Sequence, residues 1–131
     1  MSDTAGLAHF PIVAFVTIHD PERAKPFYRD VLGLTLMGEE LPYALVFDCN
    51  GTMLRLAIDP ESKPIRGTVL CWRVTDIEET VKELLRAGVV FERWDFMPQD
   101  ELGIWTTPTG AKVAWFKDSE GNLLSVSQMS E

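Results

Sequence analysis

Two arginines and a turn that occurs twice carry the clearest chemistry in this 131-residue sequence. The segment "DCNGTMLRL" begins at Asp48, and the segment "DSEGNLLSV" begins at Asp118. Arg55 in the first segment and Ser125 in the second lie at the same distance from the glycine of the turn. A guanidinium in mid-strand can bind a carboxylate, a phosphate or a polarised carbonyl. Arg73 lies in another strand-like segment and can do the same. We therefore predict that Arg55, Arg73 and Ser125 bind a ligand.

Internal ion pairing is the alternative role for both arginines. A guanidinium cannot lose its proton, so one that is removed from water must be paired. The candidate acids are Glu39, Asp48 and Glu101. Structural pairing is at least as common as ligand binding, so both interpretations stay open.

The histidines and cysteines do not identify a catalytic residue. His19 lies beside a helix start and His9 near the N-terminus, where a histidine is more often structural or solvated than a base or ligand. We expect Cys71 to be a small buried residue and Cys49 a more exposed turn residue, with no histidine beside either to activate a thiolate.

Trp94 and Trp105 flank an irregular segment at residues 95–110. An aromatic loop over a cavity mouth is a candidate ligand lid. The alternative is that these residues, like Trp72 and Trp115, contribute to the core or to a dimer contact.

The elements that must position these side chains begin with a strand-like run, "FPIVAFVTI", at residues 10–18. Asp20 followed by Pro21 predicts the start of an amphipathic helix that ends at Gly33. Pro26 lies inside this helix and predicts an irregular turn, because proline has no N–H to donate. Three strands are predicted next, at residues 34–38, 43–49 and 52–58.

The same order of elements begins again after a predicted linker at residues 59–67. A strand at residues 68–74 leads to a second helix, which either Thr75 or Asp76 can cap and which ends at Gly88. Strands follow at residues 89–94, 111–118 and 122–128. The sequence therefore predicts one α+β domain over residues 1–131, built from two tandem βαβββ units at residues 10–58 and 68–128, with an insertion of about 15 residues in the second unit. A curved mixed sheet around a cavity is the expected architecture.

Two segments resemble a known superfamily. "IHDPERAKPFYRDVLGL" (Ile18–Leu34) resembles the first helix signature of the glyoxalase, bleomycin-resistance and extradiol-dioxygenase superfamily, also called vicinal oxygen chelate. "VAWFKDSEGNLLSVSQ" (Val113–Gln128) is similar to its closing hairpin. The resemblance covers residues 12–128 and implies the fold. It does not imply one reaction, because the superfamily includes lyases, isomerases, dioxygenases, thiol transferases and drug-binding proteins.

The resemblance also implies where a metal would lie. Enzymes of this superfamily hold a divalent ion with four side chains, usually His and Glu, which the metal needs as nitrogen and oxygen ligands. Aligned by its motifs, this chain has no ligating side chain at these four positions, and an arginine at one of them would repel a cation. We therefore predict no metal and no other cofactor. The four positions carry Val13, Arg55, Val69 and Ser125.

Strand alternation groups the side chains that would line the cavity. Val13, Phe15 and Thr17 should share a face with Met53, Arg55 and Ala57, and Val69, Cys71 and Arg73 with Leu123, Ser125 and Ser127. The predicted ligand-binding residues are Phe15, Met53, Arg55, Arg73, Trp94, Trp105 and Ser125.

Charge and composition exclude several classes of partner. The net charge of −8 repels phosphate backbones and excludes nucleic acid as an expected partner. Apolar runs are shorter than the roughly 18 residues that a membrane span needs. Two cysteines and no recognisable leader indicate a reduced, cytoplasmic protein.

The favoured function is a metal-free protein that binds a small organic molecule, for drug or metabolite sequestration, as drug-binding members of the superfamily do. The alternative is a lyase, isomerase or dioxygenase with a non-standard or metal-free site. Superfamily members commonly dimerise through the edges of their sheets, so a homodimer is expected.

Overall fold

The computed structural model describes residues 6–130. In the first unit, β1 (Val13–Ile18) precedes a short helix α1 (Pro21–Pro26) and a π-helical turn (Phe27–Val31). Three strands complete the unit: β2 (Thr35–Glu40), β3 (Ala44–Cys49) and β4 (Thr52–Ile58). The four strands form one sheet in the order β1-β4-β3-β2, with β1 parallel to β4.

The second unit repeats this plan. Its elements are β5 (Thr68–Arg73), α2 (Ile77–Arg86), β6 (Trp105–Thr106), β7 (Lys112–Lys117) and β8 (Leu123–Gln128). The sheet order β5-β8-β7-β6 matches that of the first unit, with β5 parallel to β8. The predicted α+β fold of two tandem βαβββ units is confirmed. Within residues 6–130, no helix is long and apolar enough to cross a membrane.

Pro26 changes the geometry of the first helix as predicted. The carboxylate of Asp20 accepts the backbone N–H groups of Glu22 and Arg23 and so caps the helix start. The α-helical turn ends at Pro26, and the next turn is π-helical, closed by a hydrogen bond from the Leu32 N–H to the Phe27 carbonyl. Proline has no N–H for the regular ladder, so the helix changes its hydrogen-bonding pattern at this residue.

The second helix begins at Asp76, one of the two predicted caps. Its carboxylate accepts the N–H of Glu79 at 3.1 Å. Ile77 and Val81 are buried on the face that packs against the second sheet.

The prediction of a strand at residues 89–94 is wrong. Only Phe91 forms a bridge there, opposite Phe116 on β7. The backbone of this segment is hydrogen-bonded by a side chain where a strand would be hydrogen-bonded by a neighbouring strand. The amide oxygen of Gln99 accepts the Trp94 N–H, and its amide nitrogen donates to the Glu92 carbonyl. The strand that pairs with β7 is instead the short β6, supplied by the inserted segment.

Both helices pack on one side of the two sheets, where a single core forms. Phe47, Leu54 and Tyr28 of the first unit and Phe116 and Leu124 of the second are all buried there. We call this the helix-facing side, and the opposite side of the sheets the open side. Alternate residues of every strand point to the open side.

The turn between β7 and β8 joins the two units. The Tyr28 hydroxyl donates to Asp118 at 2.6 Å, and the side-chain amide of Asn122 donates to the Thr17 carbonyl at 3.0 Å. Burial, together with the negative charge of Asp118, raises the pKa of Tyr28 far above its usual range, so its hydroxyl stays a donor.

Glu120 is the second group of this turn that binds the first unit. Its carboxylate accepts the backbone N–H groups of His19 (3.0 Å) and Asp20 (2.7 Å) and the Nε of Arg23 (3.0 Å). The Glu120 side chain is only 1% exposed, so its charge is compensated inside the protein by these donors.

Candidate functional site

The open side of the first sheet has the predicted register. Val13 pairs with Met53 and Phe15 pairs with Arg55 across β1 and β4. Phe15 is 61% exposed and Met53 is 43% exposed. The structure therefore brings Phe15, Met53 and Arg55 together on a face that a single chain leaves open to solvent.

Arg55 forms an ion pair, and its partner is not one of the acids considered from the sequence. Nη2 of Arg55 lies 2.5 Å from Oε1 of Glu40 at the end of β2. Neither Glu39, Asp48 nor Glu101 forms an ion pair with it. The hydrogen bond from Arg55 lowers the pKa of Glu40, and the bond to Glu40 raises the pKa of Arg55. The Glu40 side chain remains 56% exposed, so it can move away from Arg55.

The second sheet follows the predicted face except at Val69. Cys71 lies opposite Ser125 and Arg73 opposite Ser127, but a register shift separates Thr68 from Leu70. Thr68 therefore lies opposite Leu123, and Val69 packs against the core. A β-bulge of one residue reverses the direction in which a side chain points, and strand alternation alone cannot locate it.

Three tryptophans form a cluster on the open side of the second sheet. The ring centroids of Trp94 and Trp115 are 5.2 Å apart, and those of Trp105 and Trp115 are 6.1 Å apart. We call Trp94, Trp105 and Trp115 the tryptophan cluster. Trp115 was not among the predicted ligand-binding residues, although its place opposite Ser125 could have indicated this face.

Trp115 also explains the burial of Ser125. Nε1 of Trp115 on β7 donates to the hydroxyl of Thr68 on β5 at 3.2 Å. Because β8 lies between these strands, the indole crosses over β8. Ser125 is only 3% exposed, so it belongs to the floor of this surface.

The inserted segment holds the tryptophan cluster in place. Besides its bonds to residues 92 and 94, the Gln99 side chain donates to the Gly103 carbonyl at 2.9 Å. The guanidinium of Arg93 donates to the carbonyls of Asp100 and Glu101. The carboxylate of Asp100 accepts two further backbone N–H groups within the loop. The segment is therefore fixed by internal hydrogen bonds, and Gln99, which the sequence did not single out, is its central residue. The role of the segment as a ligand lid stays a prediction.

Arg73 and Cys71 occupy the opposite edge of the same surface. Both are exposed, so the prediction of a buried Cys71 is wrong. Sγ of Cys71 lies 3.2 Å from the Ser127 hydroxyl. Among residues 6–130, Arg73 has no ion-pair partner. A free guanidinium therefore faces the tryptophan cluster across the sheet.

His19 and Cys49 lie away from this surface and form hydrogen bonds within the protein. Arginine can only donate, so Nε2 of His19 accepts from Arg23 at 2.7 Å, and Nδ1 carries the proton that faces Glu120 at 3.2 Å. Cys49 accepts a hydrogen bond from Nε1 of Trp72 at 3.0 Å. His19 thus supports the junction between the units, and Cys49 supports the packing of β5.

The residues present do not fit a divalent metal. Valine and arginine offer no ligand, and the bulge replaces Val69 with a threonine hydroxyl on the open side. Within the part of the chain that the structure describes, no three His, Cys, Asp or Glu side chains lie together in a way that could hold an ion.

Comparison with known proteins agrees with this architecture. The family model of the Glyoxalase/Bleomycin resistance protein/Dioxygenase superfamily matches residues 6–126. None of the curated proteins compared with the chain matches it.

Solved structures of this superfamily share the fold over nearly their whole length. A lactoylglutathione lyase from Agrobacterium tumefaciens is 20% identical, with a TM-score of 0.73 over 94% of this chain and 96% of its own. The antibiotic-binding protein TnmS3 from Streptomyces sp. CB03234 is 25% identical, with a TM-score of 0.68 over 93% and 98%. A bleomycin resistance determinant encoded on transposon Tn5 is 17% identical, with a TM-score of 0.72 over 93% and 99%. By its sequence and its duplicated βαβββ architecture, the chain belongs to the Glyoxalase/Bleomycin resistance protein/Dioxygenase superfamily.

Proposed function

We propose that this chain binds a small organic molecule on the open side of its sheets without using a metal ion. The observation that carries the proposal is the tryptophan cluster, which a hydrogen-bonded loop holds on the same surface as the unpaired Arg73. Fixed aromatic rings bind flat ligands at low entropic cost. We infer that the bound molecule is sequestered rather than converted; the similar protein TnmS3 is an antibiotic-binding protein.

The spacing of these groups suggests the kind of ligand. One row of side chains crosses the four strands of the second sheet. It consists of Arg73, Ser127, Val113 and Trp105. Three interstrand steps of about 4.8 Å separate the ends of the row by about 14 Å. A flat aromatic molecule with an acidic or carbonyl group at one end matches both the length and the chemistry of this row.

Arg55 supplies a second cationic group in the proposed site. It lies in mid-strand beside Phe15 on the open side, where superfamily enzymes bind their metal. Its partner Glu40 is half-exposed, so a ligand carboxylate can replace Glu40 without leaving a buried charge unpaired. Phe15 and Met53 would contribute apolar contacts.

Calorimetric titration with naphthalene-2-carboxylate, a flat aromatic anion, tests the proposal on protein treated with a chelator. We expect saturable binding that chelation leaves unchanged. Trp105→Ala and Arg73→Met should each weaken it about tenfold, the equivalent of about 1.4 kcal/mol. Trp72→Phe and Arg86→Met are the controls, because Trp72 alternates with Cys71 and Arg73 and so points to the helix-facing side, and Arg86 lies in the last turn of α2. Binding that disappears with the removal of Zn, Ni, Fe or Mn, or that the two control variants weaken equally, would contradict the proposal.

We also propose that the protein is a cytoplasmic homodimer. Both cysteines are free, as expected in a reducing compartment. A single chain exposes a group of large apolar side chains on and around the open side of the first sheet. A second copy would cover this side and enclose the ligand between the two chains. The exposed apolar residues are Phe15, Met37, Leu41, Tyr43 and Met53.

Light scattering tests the assembly. At tens of micromolar, a concentration at which moderately tight dimers persist, we expect twice the 14.7 kDa mass of one chain. Phe15→Glu should produce the monomer, because it places a charge on the covered face. Val90→Glu changes a similarly exposed apolar residue that follows α2 and should leave the dimer intact. A monomeric wild-type protein would refute the proposal.

A further inference from the structure

A cleft on the helix-facing side lies between the two units. Leu32 and Leu34 of the first unit form one wall, and Leu84 of α2 forms the other. Phe116 and Val126, both buried, form the floor. The cleft has a volume of about 300 Å³, which is at the lower end of the range for small-molecule sites.

The second sheet separates this cleft from the proposed ligand surface. Phe116 alternates with Trp115 along β7, and Val126 alternates with Ser125 along β8. Successive residues of a strand point to opposite faces. A molecule in the cleft would therefore contact Trp72 but not the tryptophan cluster.

The lining excludes charged ligands. None of the residues that line the cleft is charged, so an ion would lose its hydration without gaining a partner. The N–H of Trp72 already donates to Cys49, and the Thr80 hydroxyl donates to the Asp76 carbonyl at 2.9 Å. The oxygen of Thr80 still has a lone pair, so it can accept one hydrogen bond from a ligand.

The size of the cleft limits the ligand to about two fused rings. A dry apolar cavity of about 150 Å³ is large enough to bind benzene, and this cleft is about twice that volume. We propose that the cleft is a second binding site, for an uncharged bicyclic aromatic molecule with a single N–H or O–H donor directed to Thr80. Indole has this size and this donor. Because both units line the cleft, a bound molecule would also bridge them.

The four tryptophans allow a test that resolves the two sites. In protein labelled with 5-fluorotryptophan, the Trp72 resonance is assigned from Trp72→Phe, and the chain is titrated with indole. We expect a saturable shift of the Trp72 fluorine signal, while the signals of Trp94, Trp105 and Trp115 do not move. No saturable shift of Trp72, or shifts confined to the tryptophan cluster, would overturn the inference. Titration with naphthalene-2-carboxylate reports on the cluster separately, so each site can fail independently of the other.

Two neighbouring leucines on α2 provide matched variants for calorimetry. Leu84→Trp fills the cleft and should weaken indole binding at least about tenfold. Leu85→Trp adds the same side chain at a position that is 42% exposed and should leave binding unchanged. Thr80→Val keeps the shape of the cleft and removes the acceptor, so it should weaken the binding of indole. Uncharged naphthalene is of similar size but has no N–H or O–H donor, so its binding to the cleft should not change. Equal effects of Leu84→Trp and Leu85→Trp, or of Thr80→Val on both probes, would argue against the site.

Discussion

The hairpin turns that contain Gly51 and Gly121 differ in length and in surroundings. In the first unit the strands pair up to Cys49 and Thr52, and in the second they pair up to Lys117 and Leu123. Gly51 and Gly121 both adopt left-handed backbone conformations, with φ of 92° and 89°, so both turns require glycine at this position. The turn of the second unit is buried and binds the first unit through Asp118, Glu120 and Asn122. In the turn of the first unit, Asn50 and Gly51 are exposed and Asp48, Cys49 and Thr52 are half-buried. Within residues 6–130 the carboxylate of Asp48 accepts no hydrogen bond.

The comparison shows that the conformation of the turn and its contacts with the other unit depend on different residues. Glycine provides the conformation in both copies, and the polar residues around it decide whether the turn also joins the units. Glu120 occupies the place of Asn50, and Asn122 the place of Thr52. The turn of the second unit is therefore a buried polar junction, whereas the turn of the first unit meets the second unit through the hydrogen bond from Trp72 to Cys49.

The largest expected effect is that of Asp118→Ala. Asp118 accepts hydrogen bonds from the Tyr28 hydroxyl, the backbone of Glu120, and both the backbone and the side chain of Asn122. Its loss would leave these buried donors unpaired and lower the free energy of unfolding by about 3–5 kcal/mol, measured by urea denaturation.

Asp48→Ala is the matched control for this prediction. It removes the equivalent carboxylate from the first turn and should cost less than about 1 kcal/mol, as substitutions away from buried networks do. Equal losses in the two variants would show that the turns contribute alike.

An acid-dependent loss of stability should depend on Glu120. Burial alone would raise the pKa of Glu120, but hydrogen bonds from the backbone of Asp20 and His19 and from Arg23 together lower it below its usual range. Its ionised form thus stabilises the fold above the unfolded-state pKa of about 4.3, and this contribution is lost as the pH falls through the lower folded-state value.

Urea denaturation between pH 3 and 7 measures this dependence. In Glu120→Gln the decline in unfolding free energy below about pH 4.3 should be shallower than in the wild-type chain. Glu83→Gln, which changes an exposed carboxylate on α2, should keep the wild-type slope. A wild-type slope in Glu120→Gln would exclude Glu120 as the titrating group.

Arg55→Met should have the smallest effect on stability. Arg55 follows the turn of the first unit, and its ion pair with Glu40 is partly exposed, so solvent screens the pair. We expect the melting temperature of Arg55→Met to change little. Its binding of naphthalene-2-carboxylate should be weakened about tenfold or more. Glu40→Gln, which frees Arg55, should strengthen binding. If Arg55→Met melts much earlier yet binds unchanged, Arg55 is a structural residue.

Local signals in the sequence determined most of the fold. The caps at Asp20 and Asp76, the irregular turn after Pro26 and the register that pairs Phe15 with Arg55 all follow from residues within one or two elements. Each depends on backbone chemistry or on alternation along a strand, which neighbouring residues largely specify. The repeated order of these signals was sufficient to predict two βαβββ units.

Only the tertiary structure decided how the candidate site is assembled. Arg55 pairs with Glu40, an acid that the sequence did not single out, and the turn at residues 118–122 reaches back to Thr17 and Tyr28 across a long stretch of chain. The insertion supplied both β6 and the loop that fixes the tryptophans, in place of the strand predicted at residues 89–94. These contacts join side chains from distant segments, and their energies depend on packing and burial that no local pattern contains.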